Sequence, residues 1–139
     1  MDKAPVTTLT ALYRDAVENR PRPDMFRFRR GDHWVDLSTA DFDRAVREIA
    51  AAMLVHGVEP GDRVALLSEN RVEWAMVDLA VLSIGAVLVP VYSTLLRPQI
   101  AYILSDAAPV LAFCSDASQL AKLDGIEKEV ESVRTVVGF

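Results

Sequence analysis

The chain has 139 residues, of which 51% are hydrophobic and 25% charged, a composition that is typical of a folded globular protein and excludes disorder throughout. Fifteen basic against twenty acidic side chains give a net charge of −5, which argues against nucleic acid or anionic lipid as a bulk electrostatic partner. The single cysteine, Cys114, excludes an internal disulfide scaffold and a cysteine-rich zinc site.

The first predicted elements are a helix and a β-hairpin. Apolar residues at helical spacing predict a helix over residues 8–19, with Leu9, Leu12, Tyr13 and Ala16/Val17 on one face. Residues 25–30 and 33–37 then flank a Gly-Asp dipeptide, which predicts a pair of antiparallel strands.

The hairpin region is rich in arginine. Five arginines fall within eleven residues: Arg20, Arg22, Arg27, Arg29 and Arg30. Because side chains alternate along a strand, Arg27 and Arg29 are expected on one face, with the intervening aromatic residues supplying the interior. A solvated polar face is the favoured interpretation, and contact with a phosphate or a protein partner is the alternative.

An amphipathic helix is expected next, over residues 38–56, capped by Ser38 and buried along Phe42, Val46 and Met53. Strands are then predicted over residues 63–67, 86–91, 110–114 and 133–137, and helices over residues 70–84, 97–106, 118–123 and 126–131.

This alternation of strands and helices predicts the fold class. We expect an α/β fold in which a parallel-rich sheet has helices on both faces, preceded by the N-terminal helix and the hairpin. No Pro/Ser-rich linker divides the sequence, so residues 1–139 are expected to form one unit without an internal boundary.

One uncharged stretch, residues 79–96, approaches the length of a membrane span. Gly85 and Pro90 interrupt it, and the residues after Gly85 follow a β-branched pattern that is typical of a strand. A helix that leads into a buried parallel strand explains the same hydrophobicity, with Pro90 expected at the end of that strand.

The sequence contains no glycine-rich phosphate loop. None of the six glycines belongs to a G-x-G-x-x-G or G-x-x-x-x-G-K-[ST] pattern, in which backbone N–H groups approach a pyrophosphate. The glycines are instead expected at turns and at helix ends, and Gly85 is expected to end the helix over residues 70–84.

The tripeptide Cys114-Ser115-Asp116 follows a predicted parallel strand, at the edge of the sheet where ligands tend to bind. A nucleophilic cysteine needs a nearby base, and His33 and His56, the only histidines, lie far away along the chain. We therefore interpret Cys114 as a small buried apolar residue and Asp116 as the residue that begins a helix.

A metal site would require clustered ligands. Glu127, Glu129 and Glu131 alternate along a predicted helix, so they do not share one face, and a solvated surface is expected.

Four segments, in order, resemble motifs of the adenylate-forming superfamily. They are residues 37–42 (LSTADF, against L-[ST]-Y-x-E-L), 57–65 (GVEPGDRVA), 68–74 (SENRVEW) and 82–91 (LSIGAVLVPV, against L-x-x-G-A-x-x-V-P-[LIV]). Residues 90–95 and 99–106 further resemble bacterial long-chain fatty-acyl-CoA synthetases. The chain is thus similar to the N-terminal portion of the large domain of a long-chain fatty-acid–CoA ligase.

The resemblance implies an activity for a complete enzyme. Such ligases use ATP and Mg²⁺ to convert a fatty acid into an acyl-adenylate, which coenzyme A then attacks. The phosphate loop with its lysine, the magnesium motif, the ribose-binding aspartate and the catalytic lysine of that family are all missing from residues 1–139. No catalytic, cofactor-binding or metal-binding residue is therefore assigned here, and the chain alone is expected to be inactive.

Two interpretations remain open at the level of sequence. The chain is either the N-terminal fragment of such a ligase or a stand-alone α/β binding or interaction domain of the same ancestry. A cytoplasmic location is expected, with peripheral membrane contact of the complete enzyme as an open alternative. The apolar strand over residues 133–137 predicts self-association of the isolated chain through its Val133, Val136 and Val137.

Overall fold

A sheet of parallel strands organises residues 7–139, the part of the chain that the computed structural model describes. The strands are β1 (Phe26–Arg30), β2 (His33–Leu37), β3 (Arg63–Ser68), β4 (Val87–Tyr92), β5 (Leu111–Cys114) and β6 (Thr135–Gly138). The helices are α1 (Leu9–Asn19), α2 (Thr39–Val55), α3 (Val72–Ser83), α4 (Arg97–Ala107) and α5 (Ala117–Leu123).

The predicted α/β class is confirmed. The four-stranded sheet has the order β4-β3-β5-β6 with all neighbours parallel, while β1 and β2 form a separate antiparallel pair. The central strand β3 is buried along almost its whole length. Parallel strands that are covered on both faces require such continuous apolar sequences.

Each face of the sheet has its own apolar core. Because side chains alternate, Val64 and Leu66 of β3 join the cluster that contains α2 and α3. Ala65 and Leu67 point the other way, into the cluster that contains α4 and α5. The two layers of helices therefore sandwich the sheet.

Helix α2 forms as the sequence predicts. The hydroxyl of Ser38 accepts a hydrogen bond from the backbone N–H of Asp41 and so caps the first turn. Phe42, fully buried, stacks on Phe26 of the hairpin with the ring centroids 4.8 Å apart. This aromatic pair packs the hairpin against the core.

The apolar face predicted for α1 is buried only in part, at Tyr13, Ala16 and Val17. Leu9 and Leu12 are 53% and 47% exposed, whereas Tyr13 contacts the core and lies edge-on to Phe42. The hydroxyl of Tyr13 donates a hydrogen bond to Asp43 Oδ1 at 3.0 Å. Burial is the main cause that raises the pKa of Tyr13, and this hydrogen bond raises it further. A single aromatic contact and a hydrogen bond thus set the rotation of α1.

Pro90 lies inside β4 rather than at its end, which corrects the sequence prediction. The backbone N–H of Val87 donates to Asp62 O at 2.8 Å, so every second residue from Val87 faces β3. The backbone nitrogen of Pro90 therefore faces the outer edge of the sheet, where its missing N–H removes no hydrogen bond to β3.

The C-terminal elements are shorter than predicted. Only a single 3₁₀ turn, Ile126–Lys128, forms where a helix over residues 126–131 was expected. The side chains of Val130 and Val133 are instead buried in the α4–α5 cluster, and β6 begins only at Thr135. Tertiary burial has here overridden local helical spacing.

Gly85 performs the predicted tight turn from α3 into β4. Its φ of +76° lies in the left-handed region, and a Cβ there would lie 3.4 Å from Pro60 Cβ. Among the described residues, no helix has the length and apolar character needed to span a membrane.

Candidate functional site

The carboxyl ends of β3 and β5 meet at one edge of the sheet and carry a polar cluster. Glu69 follows β3, Ser115 follows β5, and Gln119 lies in the first turn of α5. In open parallel sheets, ligands bind at this edge. Glu69, Ser115, Gln119 and Arg71 are named below as the edge cluster.

Glu69 is the centre of the edge cluster. The hydroxyl of Ser115 donates to Glu69 Oε2 at 2.5 Å, and the amide Nε2 of Gln119 donates to Glu69 Oε1 at 2.9 Å. These contacts join residues that are 46 and 50 positions apart in the sequence. The cluster therefore ties the two adjacent strand ends together.

Gln119 is positioned by the start of α5. The carboxylate of Asp116 caps this helix by accepting from the backbone N–H of Gln119 at 2.9 Å, which confirms the predicted helix start. The side chain of Gln119 is 5% exposed, and its Oε1 has no hydrogen-bond partner among the described residues.

Arg71 closes the cluster from the solvent side. Its Nη1 donates to the carbonyl oxygen of Ser115 at 2.9 Å, and its Nε pairs with Glu73 at 3.2 Å. The guanidinium also lies over the ring of Phe139, 5.6 Å from the centroid. One side chain thus contacts the ends of β5, β6 and α3.

The edge cluster holds a negative charge rather than a nucleophile. The hydrogen bond from Ser115 is the main reason that the pKa of Glu69 lies below its ordinary value, supported by backbone and Gln119 donors. Because the lowered pKa of Glu69 makes its carboxylate a weak base and no histidine contacts Ser115, the hydroxyl of Ser115 is not activated for attack.

Cys114 is the inert residue that the sequence predicts. Its side chain is fully buried in the α4–α5 cluster, and burial is the main cause that raises the pKa of its thiol. Both histidines are exposed, and His56 lines a groove on the opposite face of the sheet. The structure therefore does not bring a base to Cys114.

The arginines of the hairpin divide into two groups. Arg27 lies on the exposed face, as predicted, and forms two hydrogen bonds with Asp36 of β2, at 2.6 and 2.9 Å. Arg29 lies on the same exposed face, as predicted, and Arg29 and Arg30 also line a polar cleft of 510 Å³ together with Arg71. Binding of a phosphate or a partner by these residues stays a prediction.

The glutamates singled out in the sequence lie on the surface, as predicted. Glu127, Glu129 and Glu131 are all exposed, and Glu129 pairs with Arg97 of α4. Within residues 7–139, no three His, Cys, Asp or Glu side chains are grouped closely enough to hold a metal ion.

An apolar groove of 380 Å³ lies between β6 and the α2–α3 layer. Its apolar walls include Met53, Met76, Phe113, Val137 and Phe139, and its charged wall residues are Glu48 and Glu73. We call this feature the β6 groove. It is the part of the α2–α3 face of the sheet that the described residues leave uncovered.

Sequence reasoning identified Ser115 and Asp116 at this edge but missed Glu69, Arg71 and Gln119 as members of one cluster. The available signal was a charged residue directly after the buried strand β3. This signal can be interpreted only with the knowledge that β3 and β5 are neighbours in the sheet, although β4 lies between them in the sequence.

The comparisons with known proteins agree with this geometry. Residues 13–138 match the family model described as AMP-binding enzyme. The chain is 35% identical over 108 residues to the long-chain-fatty-acid–CoA ligase FadD15 of Mycobacterium bovis, an alignment covering 76% of this chain and 18% of FadD15. The chain thus spans less than a fifth of that relative.

Two further comparisons bear on the region and on its size. The crystal structure of the N-terminal domain of FACL13 from Mycobacterium tuberculosis superposes with a TM-score of 0.70 at 28% identity, over 76% of this chain and 27% of that one. The uncharacterized protein Rv1549 of the same organism is 31% identical over 110 residues, 79% of this chain and 61% of Rv1549. The matched family model and these likenesses show that the chain belongs to the AMP-binding enzyme family and corresponds to the N-terminal part of its acyl-CoA ligases.

Proposed function

We propose that this chain is the N-terminal part of a long-chain fatty-acid–CoA ligase. In the complete enzyme, ATP and Mg²⁺ convert the fatty acid into acyl-AMP with release of pyrophosphate, and coenzyme A displaces AMP. The observation that carries the proposal is the identity of 35% to FadD15 within a family match over residues 13–138.

The role proposed for the chain within that enzyme is to build one sheet of the large domain and to hold its ligand-facing edge. The edge cluster supports this role, because Glu69, Ser115 and Gln119 fix the strand ends without offering a reactive group. The residues that bind nucleotide and metal are expected outside residues 1–139. The cytoplasm is the proposed location.

A chimeric enzyme tests the proposal. The segment of FadD15 that matches this chain is replaced by residues 13–138, and palmitate-dependent ATP–pyrophosphate exchange and acyl-CoA formation are measured. We expect both activities in the chimera, none in the 139-residue chain alone, and none in FadD15 that lacks the segment. A chimera with a cooperative thermal transition but without exchange would contradict the proposal.

A second candidate is a stand-alone interaction domain without catalysis. The likeness to Rv1549 favours it, because this chain spans 61% of that relative, so a short chain of this type has a counterpart. The mass of the native polypeptide in its source cells separates the two candidates. A product of 139 residues favours the interaction domain, and a product several times longer favours the ligase.

A further inference from the structure

The polar cleft beside the hairpin contains arginines from two separate parts of the chain. Arg29 and Arg30 line it from the end of β1, while Asn70, Arg71 and Glu73 line it from the loop after β3 and the start of α3. Among the residues that the structure describes, three guanidinium groups thus share the cleft with one carboxylate, an excess of two positive charges. We call this feature the arginine cleft.

The one carboxylate in the wall is already paired. Arg71 Nε lies 3.2 Å from Glu73 Oε2, and Arg71 Nη2 lies 3.5 Å from Glu73 Oε1. The Nη1 group of Arg71 donates to Ser115 O at 2.9 Å, which fixes the guanidinium at the cleft. A guanidinium has five N–H donors, so Arg71 keeps donors for a further acceptor.

The Arg30 side chain is the most available of the three. Within residues 7–139, no hydrogen bond or ion pair joins its guanidinium to another residue, and it lies over the Phe28 ring, 5.7 Å from the centroid. A cation–π contact gives the N–H groups of a guanidinium no acceptor oxygen. The donors of Arg30 are therefore held at the cleft without being used.

Arg29 is only weakly neutralised. Its Nε donates to Gly31 O at 2.9 Å, and its Nη2 lies 3.4 Å from Asp32 Oδ1. The Asp32 side chain is 96% exposed, and an exposed ion pair of this kind contributes little free energy. The positive charge of Arg29 therefore also remains available to a ligand.

This donor set fits a phosphoryl group. Guanidinium groups match the oxygens of phosphate and form charge-assisted hydrogen bonds with them. A phosphoryl group has three acceptor oxygens and a charge of about −1.5 to −2 at pH 7, close to the excess charge of the cleft. The volume of 510 Å³ lies within the range of small-molecule sites, roughly 300–1,000 Å³, so an organic group has room beside it.

We propose that the arginine cleft binds the phosphoryl group of a phosphorylated small molecule, with Arg30 as the main charged donor and Arg29 and Arg71 beside it. The amide of Asn70, which has no partner among the described residues, supplies an uncharged donor. Because the hairpin forms a sheet of its own, the bound ligand links it to the start of α3.

A titration followed by NMR tests the site directly. The arginine side-chain Nε–Hε signals of the ¹⁵N-labelled chain are recorded while phenyl phosphate or inorganic phosphate is added, with sodium chloride at equal ionic strength as the control. We expect the signals of Arg29 and Arg30 to shift and to saturate with phenyl phosphate. Weaker binding of inorganic phosphate identifies an organic phosphate as the ligand, and equal binding identifies free phosphate.

Two charge-matched variants show whether the cleft itself is responsible. Arg30→Gln breaks no ion pair within residues 7–139 and should raise the Kd for phenyl phosphate about tenfold or more. Arg14→Gln removes the same charge from α1, where Arg14 lies in a different cleft beside Ser83. Ser83 is at the far end of α3, a helix about 18 Å long, so screening should keep the Kd within about twofold of wild type.

Three outcomes would overturn the proposal. They are shifts that sodium chloride reproduces or that do not saturate, an equal loss of affinity in Arg30→Gln and Arg14→Gln, and saturating shifts confined to residues outside the cleft. Urea unfolding of each variant checks that it is folded. Binding is measured on the 139-residue chain itself, so a failure of the ligase proposal would leave the result unaffected.

Discussion

Replacing Ser115 with alanine measures what the edge cluster contributes to stability. The hydroxyl is buried and donates to Glu69 Oε2 at 2.5 Å, while Gln119 supplies the other side-chain donor to this carboxylate. A hydrogen bond to a charged group contributes about 1.5–3 kcal/mol to stability. We therefore expect Ser115→Ala to lower the free energy of unfolding by about 1.5–3 kcal/mol at pH 7.

This loss should depend on pH, because the hydrogen bond is made to the ionised form of Glu69. Folding holds the pKa of Glu69 below its ordinary value, with Ser115 as the main cause. Such a carboxyl stabilises the fold above its unfolded pKa, about 4.3, and the stabilisation is lost as the pH falls through the folded pKa. The difference between wild type and Ser115→Ala should therefore shrink below about pH 4.

Urea unfolding at a series of pH values, followed by tryptophan fluorescence, measures both effects. Ser118→Ala is the matched control, because Ser118 lies in the same helix, is exposed and should change stability by no more than about 0.5 kcal/mol. Equal midpoints for wild type and Ser115→Ala at pH 7 would refute the reasoning. A loss that is constant from pH 7 into the acid range would show that the charge of Glu69 is not involved.

Three further outcomes are expected. Trp74 is only partly buried against the α2–α3 cluster. Trp74→Ala should therefore lower the free energy of unfolding in urea by about 1–3 kcal/mol, less than the ~3–5 kcal/mol of a fully buried aromatic residue. A larger loss would indicate deeper burial. Gly85→Ala should cost about 1–2 kcal/mol by the same assay, because an alanine must adopt a φ of +76° against Pro60, and an unchanged midpoint would contradict that strain. Cys114 should react with a thiol reagent only after unfolding, and rapid labelling of the native chain would show that the thiol is accessible.

The sequence predicted the elements whose local signals and tertiary contacts agree. The helix over residues 38–56 has a capping serine and an apolar face at helical spacing, and the structure has α2 there, with Phe42 and Met53 almost completely buried. The parallel strands were recognisable because a strand covered on both faces has almost no polar residues. Local sequence therefore sufficed for the fold class.

The failures occur where a contact that is distant in sequence decides the outcome. Leu9 and Leu12 have the spacing of a buried face, yet the hydrogen bond from Tyr13 to Asp43 rotates them toward solvent. The edge cluster could not be found for a related reason. Its members come together because β5 pairs with β3 on the side opposite to β4. No local pattern encodes that strand order.

The two faces of the sheet are covered to different extents beside β6, and this difference distinguishes the two functional candidates. The α4–α5 face is closed by Val130 and Val133, whereas the α2–α3 face ends in the open β6 groove. A ligase is expected to cover that groove with further polypeptide, whereas a stand-alone domain leaves it open to solvent or to a partner. Val137→Cys, in the wall of the groove, should therefore react with a thiol reagent more slowly in an active chimera than in the 139-residue chain. Equal rates would show that the groove stays open in the complete enzyme.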